Sequence, residues 1–141
     1  MPALAQQMRE HVLQAAREAA GPKRSMPARI KAMVEAGLTE MGKFQDVLGI
    51  LQAGLAVSGD APDWEALSQP FYKVVEDEIR DGMARGAVTD EVDPAVCARL
   101  VVNLVGTAAE DCYLFSPPVG LDHYRRQLVG FVLRALAPLT R

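Results

Sequence analysis

The chain has 141 residues, half of them hydrophobic, and a formal net charge of −3 at pH 7. That length holds one hydrophobic core rather than two, and the composition excludes a disordered chain. The sequence pI is near 5.4 and the basic residues include only small pairs, Lys23-Arg24 and Arg125-Arg126, so there is no electrostatic footprint for wrapping nucleic acid.

Helical periodicity dominates. From Ala3 to Ala20, apolar residues recur at Leu4, Met8, Val12, Ala15 and Ala19, the spacing of an amphipathic helix, and Gly21-Pro22 ends it. The same segment carries Gln, Arg and Glu where a signal peptide needs an apolar core. Ser25 is a candidate cap for a second helix, with Pro27 in its first turn and Ile30, Met33, Val34, Gly37, Leu38 and Met41 as its buried stripe. After a boundary at Gly42, a shorter helix is predicted through Phe44, Val47, Leu48, Leu51 and Leu55. Gly49 and Gly54 weaken it by roughly 1 kcal/mol each relative to Ala.

Gly59-Asp60-Ala61-Pro62 reads as a loop, followed by a long helix traced by Trp64, Leu67, Phe71, Val74, Val75, Glu78 and Ile79 and ended by Gly86. Pro70 leaves two readings. Either the helix kinks there, or Ser68 caps the main helix and Trp64 to Leu67 is a separate turn. Asp93-Pro94 is a strong start for the next helix, which runs to about Phe115 and stops at Ser116-Pro117-Pro118. A final helix, from about Asp122, carries Tyr124, Leu128, Phe131, Val132, Ala135 and Leu136 before Pro138. The longest apolar runs, Leu100 to Ala109 and Val129 to Leu139, are far short of a membrane span, so the expectation is a cytoplasmic protein without membrane contact. Cys97 and Cys112 fall on one helix roughly 22 Å apart along its axis, too far for a disulfide, and are expected as buried thiols.

The last two helices are apolar over more than one stripe. A monomer's surface helix is polar on one side, so two such helices point to a second burial surface, most simply a homodimer interface. The residues assigned to it are Leu100, Leu104, Tyr124, Leu128, Phe131, Val132 and Ala135.

The segment Glu78 to Val88, followed by Val92-Asp93-Pro94-Ala95-Val96-Cys97-Ala98, resembles a recurrent stretch of TetR-family transcriptional regulators. There a long helix ends at a glycine, and a short loop carries a Val-Asp-Pro-like start into the penultimate helix. The order and length of the other helices agree over essentially the whole chain. The resemblance implies an all-α bundle of about six helices forming one domain over residues 1–141, with the last two pairing across a two-fold axis into a four-helix interface. The family places a three-helix DNA-binding unit ahead of this region. This chain starts at what would be the first helix after it, so direct nucleic-acid binding is not expected.

The resemblance also implies a cavity inside the bundle for a small, mostly apolar molecule. The candidates to line it are Met33, Met41, Phe44, Trp64, Phe71, Tyr72 and Tyr113, each of which would serve equally as plain core. Asn103, Thr107 and Glu110 share one face of an otherwise apolar helix. A buried polar group without a partner costs roughly 1–3 kcal/mol, so a ligand, the partner subunit or a facing helix should satisfy them. Asn103 and Thr107 join the ligand-binding candidates.

Glu76-Asp77-Glu78 reads as a solvated acidic face, because consecutive helical residues diverge by about 100°. His11 and His123 stand in none of the metal-ligand spacings, and neither a nucleophile elbow nor a phosphate-cradling glycine loop is present. No enzyme activity, metal or cofactor is therefore expected. The expected function is ligand sensing and dimerisation in transcriptional regulation. The alternative is a stand-alone helical module that sequesters a ligand or forms mixed dimers with a full-length relative.

Overall fold

The computed structural model describes residues 2–44, 46, 49, 64–115 and 118–139, with side chains described from Ala5 and, after the gap, from Glu65. Among these residues there are five helices and no strand: α1 (Pro2–Ala20), α2 (Met26–Gly42), α3 (Trp64–Ala84), α4 (Pro94–Leu114) and α5 (Leu121–Leu136). The short helix expected through Phe44 to Leu55 falls largely outside the described residues.

The helix ends are set by local chemistry. The Ser25 hydroxyl accepts the Ala28 N–H at 3.2 Å, and Pro27 sits in the first turn of α2. The Asp93 carboxylate accepts from Ala95 and Val96, with Pro94 as the first helical residue of α4. Both satisfy donors that a helix N-terminus otherwise leaves open. Helix α3 runs unbroken through Pro70, so the separate turn capped by Ser68 does not form.

At the end of α3, the Ala87 N–H donates to Gly82 O at 2.7 Å and the Gly86 N–H to Met83 O at 3.1 Å, the paired bonds of a Schellman motif. Gly86 occupies its left-handed position, φ +75°. Three residues on, Thr89 N–H donates to Leu136 O at the end of α5, and its hydroxyl accepts from Glu91. The junction from Gly86 to Pro94 thus closes α3 and α5 and opens α4. Gly86→Ala is expected to lower stability by about 1–2 kcal/mol, because the added Cβ opposes the left-handed backbone. Urea unfolding followed by circular dichroism would measure it.

Helix α2 packs against all four of the others. Its Ile30 and Leu38, with Ile79 from α3 and Leu136 from α5, are the largest fully buried side chains. A second, smaller cluster gathers Ala5, Met8 and Val12 of α1 against Met41, Phe44, Leu67, Phe71 and Leu114.

One ionic clamp joins three helices. Arg29 of α2 pairs with Glu78 of α3, with its Nε and Nη2 both within 2.8 Å of Oε1. Its Nη1 donates to Ala20 O, the last residue of α1, and to Lys23 O. The Glu78 bond, followed by the charge of that carboxylate, holds the Arg29 guanidinium above its ordinary range. The acidic run therefore divides. Glu76 pairs with Arg80 and Asp77 with Lys73 at the surface, whereas Glu78 turns inward.

Candidate functional site: a cavity between α1, α2, α3 and α4

A cavity of about 440 Å³ lies among the first four helices. Its wall is mainly aliphatic: Ala5, Met8, Val12, Leu13 and Ala16 from α1, Val34 and Gly37 from α2, Val74 and Val75 from α3, and Val101, Val102 and Val105 from α4. Among the described residues, five polar ones interrupt it, Arg9, Ser68, Asn103, Thr107 and Glu110. Asn103 and Thr107 are also exposed.

Of the expected lining residues, Met33, Met41, Phe71, Asn103 and Thr107 stand in the wall. Three others are placed elsewhere. The Phe44 ring lies edge-on to His11 with centroids 5.3 Å apart, and His11 Nε2 meets Glu40 Oε2 at 2.7 Å. The Lys43 bond and then the His11 bond hold the Glu40 carboxyl below the usual range. Tyr72 is buried behind the wall and donates its hydroxyl to Asn103 Oδ1 at 3.1 Å, under the Arg99 guanidinium 4.6 Å from its ring. Arg99 in turn forks onto both Glu65 oxygens at 2.7 and 2.8 Å. Tyr113 donates to Leu38 O at 2.9 Å, and burial pushes its hydroxyl pKa up. The Trp64 side chain lies outside the described residues.

The structure also divides the residues expected at a dimer interface. Leu128 and Val132 are buried in the chain's own core, in line with Leu136 at four-residue spacing, so that stripe of α5 is used within the subunit. Leu104 and Tyr124 are half-buried against the same core. Tyr124, desolvated by burial and hydrogen-bonded to Asp111, has its hydroxyl pushed up to about 12. Leu100 and Phe131, each 62 % exposed, and Ala135 remain at the surface, joined by Val96 one turn before Leu100.

Cys97 and Cys112 are half-buried rather than buried, and burial raises both thiols, the opposite of an activated nucleophile. Among the described residues no group of three or more His, Cys, Asp or Glu side chains stands as metal ligands would. No described helix is long and apolar enough to cross a membrane.

Sequence reasoning missed most of the cavity wall because a valine beside a void and a valine in a packed core look alike. Gly106 did carry a signal. An isolated glycine within an apolar helix costs about 1 kcal/mol against alanine and calls for a spatial reason. Among the described residues, a Cβ built there meets nothing within 4 Å, and the residue lines the cavity.

Residues 30–136, from within α2 to the end of α5, match the family model described as Tetracyclin repressor-like, C-terminal domain. The chain belongs to this family. A curated relative, an uncharacterized HTH-type transcriptional regulator of Bacillus subtilis (strain 168) named YvdT, is 28 % identical over 95 residues. That match takes in 67 % of this chain and 49 % of the relative, so the chain spans about half the length of the regulator it matches. A solved structure of a Rhodococcus sp. RHA1 protein of unknown function shares the fold, with a TM-score of 0.73 and 16 % identity over 96 % of this chain and 71 % of that one. In this tetracyclin repressor-like domain, the Gly86 to Pro94 junction that carries the sequence resemblance is also the loop that closes two helices and starts a third.

Proposed function

We propose that this tetracyclin repressor-like domain is the ligand-sensing and dimerising part of a cytoplasmic transcriptional regulator, and that a small, mostly apolar effector occupies the cavity. The observation that carries this reading is the cavity itself. Its volume lies in the range of small-molecule sites, and its wall combines aliphatic bulk with a few polar groups. Helix α4 would link the two roles. Val101, Val105 and Gly106 give it a cavity side, while Val96 and Leu100 give it an exposed apolar side on which a second copy would dock. An effector that favours one placement of α4 and α1 would bias the dimer arrangement by its differential affinity for the two placements.

The test is thermal melting against a panel of apolar and aromatic small molecules. A true effector at a hundredfold excess over its Kd should raise the melting temperature by roughly 5–10 °C. In Gly106→Leu the new side chain occupies cavity space, and the shift should vanish although the protein stays folded. A panel without any saturable shift, or a shift unchanged in Gly106→Leu, would reject the cavity as the effector site.

A further inference from the structure

The inward stripe of α1 is apolar on either side of one charge. Ala5, Met8, Val12, Leu13 and Ala16 line the cavity together with Arg9, which sits at the middle of the stripe. A guanidinium carries five N–H donors in a rigid fork shaped for a carboxylate. Among the described residues, the ionic contact of Arg9 is with its neighbour Glu10, at a stretched 3.9 Å, and the Glu10 side chain is 72 % exposed. The Arg9 side chain itself is 23 % exposed, and among the described residues no anion lies closer to it than Glu10. Two arginines outside the described wall differ. Arg29 and Arg99 each hold a carboxylate within 2.8 Å. Glu110, the other charge among the described wall residues, already has an interaction of its own. Among the described wall residues, Arg9 is therefore the charge with bonding capacity to spare.

We propose that Arg9 makes the cavity selective for an apolar molecule that ends in a carboxylate. The inference rests on the effector-cavity reading and adds the ligand's chemical class. The aliphatic wall takes the chain or ring, and the guanidinium receives the carboxylate in a charge-assisted, two-toothed pair at the α1 side. Because α1 supplies the anchor and α4 much of the apolar wall, such a ligand ties the two helices together, which an uncharged molecule of the same size does not do.

Isothermal titration with straight-chain acids from hexanoate to tetradecanoate, and with the matching primary alcohols, tests this below their aggregation limits. For the best-fitting length, the acid should bind wild type about ten- to hundredfold more tightly than the alcohol. In Arg9→Gln the acid should weaken to the level of the alcohol, whose own affinity stays unchanged. Equal affinities in wild type, a preference for the alcohol, or an acid preference that survives in Arg9→Gln would each overturn the proposal. The wild-type contrast stands without the variant, should Arg9→Gln fail to fold. Alcohols that bind and are displaced by Gly106→Leu, with no acid preference, would leave the cavity reading intact and remove Arg9. No binding by any acid would overturn the proposal, and no melting shift from the wider panel would overturn the cavity reading with it.

Discussion

Glutamates in place of Leu100 and Phe131 are expected to turn a dimer into a folded monomer. Both side chains are 62 % exposed in the subunit, so replacing them removes little packing from its own core. Exposed sites of this kind usually change subunit stability by no more than about 0.5 kcal/mol. In a two-fold interface each substitution counts twice, and every large apolar anchor lost from the centre of an interface costs about 2 kcal/mol or more. Four carboxylates would then face one another across the axis. Sedimentation at micromolar concentration should show the wild type as a dimer and Leu100→Glu/Phe131→Glu as a monomer, with the same helical circular dichroism. A double variant that still sediments as a dimer would move the interface away from α4 and α5. The same substitutions at Leu128 and Val132 should unfold the chain instead, because those side chains are 5 % and 2 % exposed.

The second large effect belongs to the clamp between α2 and α3. Arg29→Ala removes the partner of Glu78, whose side chain is 13 % exposed and whose Oε2 is buried without a hydrogen bond among the described residues. It also uncovers the Ala20 carbonyl at the end of α1. Breaking a fully buried pair costs roughly 3–5 kcal/mol. The Arg29 side chain is 29 % exposed, which brings the expected loss to about 2–3 kcal/mol, or roughly 5–10 °C in melting temperature. The double variant Arg29→Met/Glu78→Leu should recover much of that loss, since apolar side chains of similar volume leave no charge stranded. If the double variant is no more stable than Arg29→Ala, the clamp contributes through its carbonyl contacts and not through the ion pair.

These features differ in how far the sequence reveals them. Helix ends were legible because single residues write them: Gly21-Pro22, Ser25, Gly86 and Asp93-Pro94 act through their own backbone preferences and nearest amides. The two-sided apolar character of α4 and α5 was legible as well, but not which side faces inward. Leu128 and Val132 lie inside because α2 and the Thr89 bond to Leu136 O fix the rotation and end of α5, and neither constraint is local in sequence. Glu78 read as solvated for the same reason, its partner being 49 positions away. The cavity was legible only at Met33, Met41, Phe71 and the polar row of α4. Aromatic residues were natural candidates, yet Tyr72 and Tyr113 direct their hydroxyls to Asn103 and to Leu38 O, contacts that no local pattern announces.

Native mass spectrometry of the intact protein, recorded with and without the compound giving the largest melting shift, tests the central claim most directly because it reads subunit and ligand counts together. A dimer that takes up one small molecule per subunit, and loses that uptake in Gly106→Leu, is the predicted result. A monomer at micromolar concentration that retains no small molecule would contradict the account.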